Sequence, residues 1–166
     1  MSPLSNLLRA ASAAALLGSV SYAGMAPANA DPNETLVSLL SKGYTTSNCS
    51  AKDPSSGMVA VMECGQNSLE GGPVVAKYML FGNSTDLASA FTASIKDDTL
   101  TKCGDADSPT TWHQGNATTS AGQVACGTYQ GQAEVIWTTD AKNVLSFIRA
   151  SNTDTAALYQ WWRANG

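Results

Sequence analysis

The chain is 166 residues long, 43% hydrophobic and 13% charged, with a formal net charge of −4. That apolar share is enough for one core and excludes a disordered, charge-dominated chain. Its 9 Lys and Arg residues are scattered without a basic stripe, which disfavours binding to nucleic acid or to an acidic membrane surface.

The N-terminus reads as a secretory signal. Arg9 supplies positive charge, an apolar stretch runs from Ala10 through Leu17 and Val20, and Ala28-Asn29-Ala30 puts small residues where a signal peptidase cuts. Cleavage is expected after Ala30, so residues 1–30 are the signal and residues 31–166 a single secreted domain. The apolar run is broken by Gly18, Ser19, Ser21 and Gly24 and falls short of the roughly 20 residues that a membrane helix needs. No membrane span is expected after cleavage. No Cys follows the cut and no Arg-Arg pair precedes it, so neither a lipid anchor nor export of a folded protein is signalled. The expected location is extracellular or in the cell envelope.

Glu34 to Lys42 predicts a helix, with Asn33 as its cap, an apolar stripe of Leu36, Val37, Leu39 and Leu40, and Gly43 as its stop. A polar, turn-rich segment holding Cys49 follows. Met58 to Cys64 predicts a strand. Val74 to Phe81 predicts a second, so apolar that it should be central and covered on both faces. Thr85 to Ile95 predicts a helix capped by Ser84 or Thr85, with Leu87, Phe91 and Ile95 on one face. After a loop with Cys103, Thr110 to Gln114 reads as a short strand. Gln123 to Tyr129, Ala133 to Thr138 and Val144 to Arg149 have the spacing of an antiparallel meander. A last helix is expected from about Thr153 to Arg163, with Leu158, Trp161 and Trp162 spaced to form an apolar face.

The two halves echo each other. Glu63-Cys64-Gly65 matches Ala125-Cys126-Gly127, and Thr85-Asp86 with Phe91 matches Thr153-Asp154 with Tyr159 at the same offsets. The echo reads as an internal duplication in which two strand-hairpin-helix units share one sheet. The predicted fold is α+β: a mainly antiparallel sheet of five to six strands, with about three helices mostly on one face. Four cysteines in an exported chain indicate two disulfides, for which three pairings exist. The duplication favours Cys49–Cys64 and Cys103–Cys126, one staple per half. A zinc site is disfavoured because no C-x2-C pair is present and His113 is the sole histidine.

Six stretches carry a resemblance: Gly43-Tyr44 to Cys49, Glu63 to Gly65, Ser108 to Trp112, Val124 to Tyr129, Val135 to Asp140 and Leu158 to Trp162. Together they resemble small exported proteins of actinobacteria, mycobacteria above all. They are also similar to the extracellular part of some receptor-like serine/threonine kinases. The resemblance covers essentially all of residues 31–166 and implies an extracellular domain without assigning it a ligand or an activity. A sensing role would need a separate partner, since this chain has no kinase domain.

No catalytic or cofactor motif stands out, and neither a cofactor nor a metal is expected. A Ser-His-Asp site would have to use His113, and no Gly-x-Ser-x-Gly elbow accompanies it. Asp105-Ala106-Asp107-Ser108 alternates oxygen ligands but lacks the glycine and the glutamate of a calcium loop. The aromatic residues are more telling. Trp161 and Trp162 are adjacent, about 100° apart on a helix, so one can enter the core while the other lies at its margin. Core building is the ordinary role for such residues, and an exposed indole could instead stack on a ligand. Trp112, His113 and Trp162 are the candidate ligand-binding residues. The expected function is a secreted, non-enzymatic binding or sensor-like module, whose partner would be a small molecule, a cell-wall component or a protein. The alternatives are a small secreted hydrolase using His113, and a structural or host-facing envelope protein.

Overall fold

The computed structural model describes residues 30–55 and 57–166. The expected signal segment therefore lies, apart from Ala30, outside the described residues. The chain runs α1 (Pro32–Val37), β1 (Cys49–Lys52), β2 (Met58–Cys64), β3 (Val75–Phe81), α2 (Ser84–Ser94), β4 (Thr99–Thr101), β5 (Thr110–Trp112), β6 (Gly122–Tyr129), β7 (Gln132–Thr139), β8 (Val144–Arg149) and α3 (Thr155–Asn165). A 3-10 turn, Asp140–Lys142, joins β7 to β8.

All the strands belong to one antiparallel sheet in the order β1-β2-β3-β8-β7-β6-β4, with β5 also paired to β6. The sheet thus has 8 strands rather than five to six. All six predicted strands form, and β1 and β4 are the additions. Both are short edge strands whose residues are exposed, except for Cys49. An edge strand with no buried face shows no alternation of apolar and polar residues, so nothing in its sequence marks it. β3 is central as expected, with Ala76, Tyr78, Met79 and Phe81 all buried.

The helices divide between the two faces. Alternate residues of the strands, such as Met62, Tyr78, Val135, Trp137 and Ile148, form one core with Leu36 of α1 and with Leu158 and Trp162 of α3. The intervening residues Val61, Met79, Ile136 and Leu145 form a second core with Leu87 and Phe91 of α2. Two helices share a face as predicted, and α2 covers the other. The central strands are apolar on both sides, and a sheet with two oily faces needs a layer on each.

The echoed segments both open helices and bury their matched aromatics, Phe91 and Tyr159, but their caps differ. Asn83, not Ser84 or Thr85, caps α2: its Oδ1 accepts the Asp86 N–H at 2.8 Å and its Nδ2 donates to the Asp86 carboxylate. In α3 the cap is Asp154 itself, accepting the Ala157 N–H at 2.9 Å. The matched aspartates therefore occupy different helix positions, and the helices they open lie on opposite faces of the sheet. α1 is shorter than predicted. Asp31 caps it in place of Asn33, and beyond Val37 the chain tightens into i→i+3 bonds at Leu39 and Leu40.

The disulfides are Cys49–Cys64 and Cys103–Cys126, and no cysteine is free among the described residues. The first joins directly opposed residues of β1 and β2, holding an edge strand in place. The second ties the loop after β4 to the middle of β6. No helix among the described residues is long and apolar enough to cross a membrane.

Candidate functional site

On the face that carries α1 and α3, a cleft of about 490 Å³ opens between the end of α1, the second half of α3 and strands β5 and β7. Trp112, His113 and Trp162 all line it, so the structure brings the three candidate residues together. Trp137, Tyr159 and Arg163 join them.

Trp162 is the hub of the site. It follows Trp161 on α3, and the two diverge as expected: Trp162 is buried and Trp161 half-buried. The Trp162 ring lies 5.6 Å from each of three others: edge-on to Trp112, tilted against Trp137 and stacked on Tyr159. Trp137 in turn meets Tyr78 edge-on at 6.2 Å. Such pairs add about 0.5–1.5 kcal/mol each beyond simple burial, so the cluster is both core and cleft floor. The Trp162 Nε1 is buried with no hydrogen-bond partner among the described residues, and Gly166 packs against that edge of the indole.

Trp112 is half-buried on β5 and is held from below. Its Nε1 donates to the Thr138 carbonyl oxygen at 2.8 Å. This contact depends on Gly122, the β-partner of Trp112, which lies so close to Thr138 that a Cβ would overlap that carbonyl oxygen. Gly122 is required here for close approach.

The opposite wall is the segment after α1. Ser38, Leu39 and Leu40 line the cleft. Ser41, at 2% exposure, fixes the segment: its N–H donates to the Tyr78 hydroxyl at 3.1 Å, and that hydroxyl donates to Ser41 Oγ at 2.9 Å. Burial raises the Tyr78 pKa above the usual phenol value, opposed by these bonds. The Lys42 N–H donates to the Asn165 carbonyl at 2.8 Å, closing the wall onto the end of α3.

His113 is exposed, with Nδ1 3.0 Å from the Thr119 carbonyl oxygen. Among the described residues no hydrogen bond joins it to a serine hydroxyl or a carboxylate, so the geometry gives the hydrolase alternative no supporting contact. Nor does any group of three or more His, Cys, Asp or Glu side chains among them converge as metal ligands. Asp107 of the acidic loop is instead exposed and 3.8 Å from Lys102.

Charged groups gather across the sheet. A groove there holds the Lys77–Glu63 ion pair at 3.1 Å. Beside it Arg149 pairs with the buried Glu134, its Nε donating at 2.6 Å, while its guanidinium lies over Tyr129 and Phe147. Burial raises the Glu134 pKa, and Arg149 opposes the rise. These charges are mutually satisfied, which makes them less apt for a ligand than the cleft.

Sequence reasoning missed Trp137, Tyr159, Arg163 and the α1 wall as parts of the site. Trp137 follows Val135 and Ile136 in a strand, and Tyr159 lies beside the apolar stripe of its helix, so both read as core. No family model, curated protein or solved structure matches the chain.

Proposed function

We propose that this chain is an exported, disulfide-stabilised binding module and that its ligand enters the cleft between α1, α3 and β5. One observation carries the reading: the adjacent residues Trp112 and His113 converge with Trp137 and with the distant Trp162 on a cleft whose volume of about 490 Å³ suits a small molecule. Among the described residues the exposed imidazole has only a backbone partner, which favours binding over catalysis. Export is supported by the signal-like leader, by the absence of free thiols among the described residues and by the resemblance to exported actinobacterial domains.

Thermal-shift screening against cell-wall fragments, lipids and small metabolites tests the binding role. A ligand at a hundred times its Kd adds about 2.7 kcal/mol to native stability, a readily measured rise in Tm. Hits are expected to weaken in Trp112→Phe. Silence across the library, or hits indifferent to that change, would overturn the assignment. N-terminal sequencing of protein recovered from the medium should begin at Asp31, and an intact leader in the membrane fraction would refute export.

A further inference from the structure

Resting on the reading of the cleft as a binding site, we infer that its ligand is a planar aromatic ring bearing a carboxylate. Two observations select this class. The first is charge. The chain has 13 acidic residues and a net charge of −4, yet among the described residues no Asp or Glu side chain lines the cleft. Its one charged side chain is that of Arg163, exposed on α3 and free of any salt bridge among the described residues. A guanidinium in this state offers a planar fork of donors that fits a carboxylate.

The second observation is the balance of donors and acceptors over an aromatic floor. Gln114 and Thr111 join Arg163 at the rim, and the unpartnered Trp162 Nε1 lies beneath Gly166. A sugar presents about as many hydroxyl donors as acceptors and needs acceptors in return. With donors on Arg163, Gln114 and Thr111 and no Asp or Glu side chain among the described residues of its lining, this cleft is better matched to an acceptor-rich ligand. The half-buried Trp112, backed by the buried Trp137 and Trp162, suits a flat apolar body, which an indole meets by stacking or edge to face. An acceptor that displaced Gly166 would also satisfy the Trp162 Nε1.

The test is isothermal titration calorimetry of the protein with 2-naphthoate, its neutral isostere 2-naphthamide and a neutral N-acetylglucosamine trisaccharide. Naphthoate is expected to bind at least tenfold more tightly than naphthamide. Arg163→Gln should erase that preference without moving the Tm, because the side chain is exposed. Equal binding of naphthoate and naphthamide would overturn the choice of an anion while leaving the cleft a binding site. Binding of the trisaccharide alone would overturn the ligand class and again spare the site. Binding of none overturns this inference, and the library screen then decides the wider reading separately.

Discussion

Removing a single oxygen at the centre of the sheet should loosen one wall of the cleft. In Tyr78→Phe the ring stays buried and no sizeable cavity forms, but Ser41 loses both of its contacts with the hydroxyl. Ser41 is 2% exposed, so water does not replace them freely. A buried donor left unpaired costs about 1–3 kcal/mol. The expected loss is about 2 kcal/mol, or about 7 °C in Tm for a domain of this size. Urea denaturation at neutral pH should show a lower midpoint with an unchanged slope. The difference should then narrow in alkali. Burial raises the Tyr78 pKa in the folded state above its unfolded value of 10.0, so this group's contribution is complete below pH 10 and is lost as pH rises toward the folded pKa. The loss reaches about 1.4 kcal/mol per pH unit. The variant lacks the group and escapes that loss. Tyr44, whose pKa is raised by burial and then by the neighbouring Tyr78, is present in both proteins; losing the Tyr78 hydroxyl reduces that rise, which narrows the difference in the same direction. A difference below 0.5 kcal/mol at neutral pH, or one that widens above pH 10, would refute the reasoning.

Three further outcomes are expected. Gly122→Ala should push the Thr138 carbonyl away from the Trp112 indole, costing about 1–3 kcal/mol by overpacking and weakening any cleft ligand; unchanged urea midpoints and affinities would count against the proposed support of Trp112. Arg149→Ala strands the buried Glu134 carboxylate and should cost about 3 kcal/mol at pH 7. That cost should shrink toward pH 4, because burial already raises the Glu134 pKa, losing Arg149 raises it further, and the protonated acid needs no partner; a cost independent of pH would contradict this, and paired denaturation curves decide it. Replacing Cys103 and Cys126 by alanine should cost about 3 kcal/mol in the chain-entropy account for a separation of 23 residues, read as a lower Tm that reductant lowers further through the remaining disulfide.

The sequence made the interior of the sheet legible and left its margins obscure. Val144–Arg149 and Met58–Cys64 form as predicted, residue for residue, because alternating or continuous apolar runs bounded by turn residues admit few other structures. Thr99–Thr101 carries no such pattern, since no side chain in it is buried. The cysteine pairing was reachable because each half of the chain places one cysteine in a loop region and one in a confident strand. The same echo misled about the helices: Thr-Asp opens many helices, and here Asp86 and Asp154 serve at different positions. In the cleft, His113 stands out in the sequence as the sole histidine, and Trp162 as one of two adjacent tryptophans that cannot both face the same way on a helix. Trp137 did not stand out, because whether a buried ring also faces a void depends on what lies across from it, which no local pattern encodes.

The placement of α2 on the far side of the sheet has a practical consequence. Its outward residues Ser89 and Ala93 are exposed, and the full thickness of the sheet separates them from Trp112 and Trp162. A fluorophore, biotin or surface tether attached there would leave the mouth of the cleft unobstructed, so the chain could be immobilised in one orientation for ligand capture.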